Sequence, residues 1–137
     1  MIDIENKVID TLAEAFTGTA KVSGAYVESP PSFPWVYARQ ISNTAYSRSY
    51  DNALHEHHAR IAFRLEYYVS TPNGPKQDVK DLMQIGDMTM QGMKFRRTGS
   101  GVIPNFDRTV ARAYADYVVL VGEPREDGNN VVYQMYR

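Results

Sequence analysis

The chain has no cysteine among its 137 residues, which excludes disulfides and thiolate metal sites. No run is long and apolar enough to span a bilayer, so no membrane partner is expected. The opening Met1-Ile2-Asp3-Ile4-Glu5-Asn6-Lys7 lacks a basic stretch followed by an apolar one, so no signal peptide is expected. Excess charge of one sign is missing too. The formal net charge is −1, so no global basic field draws in nucleic acid, although a local basic strip remains compatible with that balance. Gly99-Ser100-Gly101 is short and lacks the Gly-Lys-Ser/Thr ending of a phosphate loop. Ser32 and Ser47 lie in no Gly-x-Ser-x-Gly nucleophile motif. No repeat and no linker divides the chain.

What is present suits a single domain. Hydrophobic residues make up 43% and charged residues 23%, ordinary proportions for a globular protein with one core. Ten tyrosines are many for this length; a rigid apolar ring with a polar tip suits strands and interfaces alike. The strongest pattern is Arg60 to Ser70. Ile61, Phe63, Leu65, Tyr67 and Val69 alternate with Arg60, Arg64, Glu66 and Ser70, which predicts a long strand with one buried and one wet face. Arg108 to Val121 repeats it, with Ala111, Ala113, Ala115, Tyr117, Val119 and Val121 on one face and Arg108, Arg112, Tyr114 and Asp116 on the other. Two such strands imply a sheet covered on one side only.

The remaining elements follow from periodicity. Ile4, Val8, Leu12 and Phe16 recur every four residues and predict a helix, capped by Asp3 and stopped at Thr17-Gly18. Lys21 to Glu28 predicts a short strand, Pro30 to Pro34 a stiff connector, and Trp35 to Ser42 a further strand. Asn43 to His58 reads as a long hairpin loop or extended arm. Lys76 to Gly92 carries Val79, Leu82, Met83 and Met90 at helical spacing, with Gly86 as a weak point and Gly92 as a stop. Lys94 to Thr98 predicts a short strand and Gly99-Ser100-Gly101 a loop. Residues 1–121 form the expected domain, and 122–137 an extension with Val131 to Tyr136 as a candidate terminal strand. The expected class is α+β, a mainly antiparallel sheet of four to six strands with two helices packed on one face.

Candidate chemistry is sparse. His55, Glu56, His57 and His58 are the best metal candidates, but their spacing fits no helical pair, and a solvated polar turn explains them more simply. Asp78, Asp81 and Asp87 on the second helix read as a wet face rather than an acid/base set. Lys94, Arg96, Arg97, Arg108 and Arg112 form a local basic set, suited to an acidic neighbour or passing DNA, or to an exposed strand face that discourages edge pairing. No catalytic residue and no cofactor is expected.

Several short segments, taken in order, carry a resemblance. The opening Ile2-Asp3-Ile4-Glu5-Asn6, then Pro31-Ser32-Phe33-Pro34-Trp35-Val36, and Lys76-Gln77-Asp78-Val79-Lys80 are three of them. Met93-Lys94-Phe95-Arg96-Arg97-Thr98, Pro104-Asn105 and Thr109-Val110-Ala111-Arg112-Ala113-Tyr114 complete the set. Together they resemble small neck proteins of long-tailed bacteriophages, in particular the tail terminator family, over about residues 1–121. The resemblance implies an α+β fold and a ring, typically of six subunits, that caps the finished tail tube and joins tail to head. It implies a place in the virion neck, after assembly in the host cytoplasm. The implied partners are further copies of the chain, the tail tube protein, head-completion or connector proteins, and DNA passing through the lumen.

On that reading, Tyr46, Arg48, Tyr50, Asp51 and His55 in the arm contact neighbours, as do Arg60, Arg64, Arg112 and Asp116 on the wet sheet face. The alternatives are a head-completion or connector protein of the same neck, a small α+β enzyme or ligand-binding domain, and a nucleic-acid module.

Overall fold

The computed structural model describes residues 2–25, 34–45, 58–70, 75–103, 110–127 and 130–136; for 75–78, 123–127, 130–134 and 136 only the backbone is described. The first element is helix α1 (Glu5–Ala15). The Asp3 carboxylate accepts the Glu5 N–H at 3.0 Å, satisfying one of the orphan donors of the first turn. Ile4, Val8, Leu12 and Phe16 are all buried, the expected stripe. Gly18, at φ +78°, turns the chain off the helix in a conformation that suits glycine.

Six strands follow, interrupted by one helix: β1 (Lys21–Ser23), β2 (Trp35–Ala45), β3 (His58–Ser70), α2 (Pro75–Gly92), β4 (Arg96–Ile103), β5 (Val110–Asp127) and β6 (Asn130–Tyr136). They form one sheet in the order β1-β2-β3-β5-β4, with β6 also on β5. β1 pairs with β2 in parallel, and every other pair is antiparallel. The fold is α+β, a mostly antiparallel sheet with two helices on one face, as the alternation of the long strands implied.

β3 and β5 are its spine, in unbroken register from His58↔Gly122 to Ser70↔Val110. Their covered faces interlock large against small: Leu65 opposes Ala115 and Tyr67 opposes Ala113, all at most 1% exposed. Fully burying a side chain of the Leu or Phe class stabilises by roughly 1.5–3 kcal/mol. The small alanines make room for α2, which crosses β3, β5 and β4 and buries Val79, Leu82 and Met90. Phe63 and Phe95 meet edge to face, with ring centroids 5.8 Å apart.

Several segments depart from the sequence expectation: β1 ends at Ser23, and β2 runs on to Ala45, into the start of the expected arm. Helix α2 is unbroken at Gly86, because that residue is buried beneath Tyr67, where the missing Cβ lets the ring reach the helix backbone. Gly99-Ser100-Gly101 is strand, not loop. Gly101 lies under the Tyr114 ring, at a distance where an added Cβ would come to 3.0 Å of a ring carbon. β5 runs on past Val121 to Asp127, through a bulge between Val121 and Pro124 that absorbs the proline.

Candidate functional site

The helices pack on one face of the sheet, and the alternation of β2, β3 and β5 sends every second residue to the other. Register places these residues in rows. Trp35, Tyr68, Arg112 and Ile103 form one row, and Tyr37, Glu66, Tyr114 and Gly101 the next. Arg39, Arg64 and Asp116 form the third, and Ser42, Ala62, Val118 and Arg96 the fourth.

Two cation–aromatic contacts and one ion pair hold this face. The Arg64 guanidinium donates from Nε and Nη2 to the two Asp116 oxygens at 2.7 and 3.0 Å and lies 4.6 Å from the Tyr114 ring centre. The hydrogen bond to Asp116 is the main cause that holds the Arg64 pKa above its ordinary value. Arg112 lies 4.9 Å from the centre of the Tyr68 ring and donates from Nη2 to the Tyr68 hydroxyl at 3.2 Å. Tyr68 and Tyr37 are only 6% and 8% exposed despite lying on the face away from the helices. The patch combines rigid aromatics with arginines, the composition enriched at the centres of protein interfaces.

Beneath α2 lies a second polar group. Asp87 accepts hydrogen bonds from the Tyr117 hydroxyl at 3.0 Å, Arg97 Nη1 at 3.3 Å and Gln91 Nε2 at 2.7 Å. The buried Tyr67 hydroxyl faces this group without a well-formed hydrogen bond, and its closest polar influence is the Tyr117 hydroxyl, which works against the rise in its pKa. Burial, first of all, raises the pKa of both Tyr67 and Tyr117 well above the ordinary phenol value; the nearby Asp87 charge adds to it, and the rise at Tyr117 also draws on Tyr67. These phenols therefore stay neutral, and the arrangement acts as a strut between helix and sheet.

The expected contact residues divide by position. Arg64 and Asp116 meet in the ion pair, Arg112 stacks two rows away, and Arg60 is exposed on the same face between Thr44 and Leu120. Tyr46, Arg48, Tyr50, Asp51 and His55 lie outside the described residues, as do Glu56, His57 and Arg108. The basic set does not share one face. Arg96 and Arg112 belong to the side away from the helices, while Arg97, one residue on, reaches back to Asp87, because successive strand residues alternate. Asp87 is correspondingly no wet-face acid, whereas Asp81 is exposed; Asp78 falls where only backbone is described.

The candidate terminal strand Val131–Tyr136 is β6, but the sequence did not show that β5 runs on to pair with it as a ribbon. Pairing with β3 ends at Gly122, but β5 and β6 continue paired to Asp127↔Asn130. The Asp127-Gly128-Asn129-Asn130 stretch was a readable hairpin signal. The ribbon leaves the sheet at the end where residues 46–57 connect β2 to β3. A groove of about 560 Å³ lies elsewhere, between the end of α1, β1 and Pro34; among the described residues Thr17, Thr19 and Lys21 are its polar lining, with no acid or histidine. Among the described residues no group of three or more His, Asp or Glu is placed to hold a metal ion. No described helix is long and apolar enough to cross a membrane.

No protein-family model matches this chain, and no curated protein matches it either.

Proposed function

We propose that this chain is a structural assembly protein of a phage or prophage neck, a ring-forming tail terminator that caps the tail tube and mediates head–tail joining. The observation that carries this reading is the sheet face opposite the helices, which no described helix covers. It is an aromatic and arginine surface of four strands opposite the helical layer, with Tyr37 and Tyr68 already drawn out of water in a single copy. A sheet covered on one side offers the other to neighbours, and the β5–β6 ribbon adds a reach beyond the sheet edge. Contacts between different surfaces of identical copies close into rings when the rotation permits. The short segments that resemble the tail terminator family give the reading its biological setting.

The test is native mass spectrometry of the chain alone, then electron microscopy of the chain mixed with tail tubes. The expected result is a closed ring, six subunits on the family resemblance, seated on tube ends. A chain that neither self-associates nor decorates tubes refutes the proposal. Capture by portal or adaptor protein instead of tube moves the chain to the head side of the neck.

A further inference from the structure

Charge on this molecule is sorted by face. Among the described residues, the sheet surface away from the helices carries five arginines, Arg39, Arg60, Arg64, Arg96 and Arg112, against two acids, Glu66 and Asp116. Asp116 is already taken by Arg64, and Arg39 stands opposite Arg64 in register. Arg39, Arg60 and Arg96 are exposed and make no ion pair among the described residues. They rim an apolar centre formed by Ala62, Val118 and Leu120, with Ile41, 44% exposed, at the neighbouring bulge.

The opposite sign gathers on α1. Asp3, Asp10 and Glu14 are exposed along the side of the helix away from its buried stripe, and Glu5 is half-exposed. The only cation there, Lys7, turns its Nζ to the Met135 sulfur at 3.6 Å. Neither Asp10 nor Glu14 has an ion-pair partner among the described residues. The chain as a whole is near neutral, so the two surfaces complement each other rather than a uniformly charged partner.

We infer that the occupant of the sheet face away from the helices is a second copy of this chain, docked through the acidic stripe of its α1. This inference rests on the ring reading above and names the two surfaces that would meet in it. The contact is between unlike surfaces, so each copy keeps one of each free for the next. α1 packs chiefly on the edge strand β1 and on α2. Nucleic acid fits the face less well, since its rows are capped by the partly shielded Tyr37 and Tyr68 and include Glu66 and Asp116.

The experiment is sedimentation velocity of the full chain, alone and on tail tubes, at low and at physiological salt. Two variants are compared, R60E/R96E on the sheet face and D10K/E14K on α1, each checked for native circular dichroism. All four side chains are on the surface, so both variants keep the fold. Each variant alone is expected to associate at least about tenfold more weakly, an effect that shrinks with salt. Mixing the two restores association, because the reversed sheet face of one then meets the reversed helix of the other. Rings that form equally well from each variant overturn this inference and leave the ring reading standing. A wild-type chain that forms no ring under any condition overturns both. Loss of DNA retardation in R60E/R96E with unchanged self-association overturns the inference in favour of a phosphate-binding face.

Discussion

Gly86 offers the sharpest test of how α2 is seated. In an exposed helix interior, replacing glycine by alanine stabilises by roughly 1 kcal/mol, because the unfolded chain loses freedom. Here a Cβ would run into the Tyr67 hydroxyl, with the ring carbon behind it only 3.0 Å away. Tyr67 cannot swing aside, because it is fully buried between Val36 and Ala113 in the register of the sheet. Overpacking of this kind costs about 1–3 kcal/mol, so Gly86→Ala is expected to destabilise by a net of up to about 2 kcal/mol once the helix gain of roughly 1 kcal/mol is set against it. Removing the hydroxyl tests the cause. Tyr67→Phe deletes a buried oxygen that makes no well-formed hydrogen bond, so alone it is near neutral or stabilising. In that background Gly86→Ala should recover at least about 1 kcal/mol, a coupling of ordinary size for residues in contact. Urea denaturation of the four proteins, read by tryptophan fluorescence and circular dichroism, measures the cycle. The reasoning is refuted if Gly86→Ala stabilises the wild type, or if the two changes are additive.

Other outcomes follow from the same packing. Tyr67 and Tyr117 titrate higher folded than unfolded, so their contribution is complete below the ordinary phenol pKa of about 10 and is lost above it. Stability should therefore fall by up to about 1.4 kcal/mol per pH unit per tyrosine above about pH 10; a denaturation series on Tyr67→Phe should show a shallower fall, and an unchanged slope contradicts the assignment. Phe95→Ala removes the partner of Phe63 and a fully buried side chain, with an expected loss of about 3–5 kcal/mol by urea unfolding. Asp116→Ala strands the Arg64 guanidinium on a half-shielded surface, and a loss of about 1 kcal/mol, smaller in high salt, is expected; a loss insensitive to salt would point to packing rather than charge.

Much of this architecture was readable from residue spacing alone. The i,i+4 stripe of α1 and the alternation of β3 needed no tertiary information, since a period of four and a period of two each allow one geometry that buries them. Glycine was the residue that misled. At Gly86 and Gly101 it marks places where an aromatic ring lies against backbone, not places where the chain turns, and the rings responsible come from distant strands. The arginines were equally ambiguous. Arg96 and Arg97 look alike in sequence, but a strand sends them to opposite faces, and only the start of β4 decides which. Of the candidate site, the sheet-face members Arg60, Arg64, Arg112 and Asp116 were legible as a row pattern. The pairing of Arg64 with Asp116, 52 positions apart, depended on a register that local sequence does not encode.

Strand β5 also governs how this chain must fold. It alone pairs with β3, β4 and β6, the first along one margin and the other two end to end along the other. The long central register joins segments about 50 residues apart, so no nearby contact compensates early for the entropy of closing that loop. The chain should collapse slowly, in milliseconds to seconds, with the hairpin of β2 and β3 waiting for its partner. Until β5 arrives, β3 exposes an unpaired hydrophobic margin, and that interval is when a crowded assembly site would most readily trap the wrong neighbour.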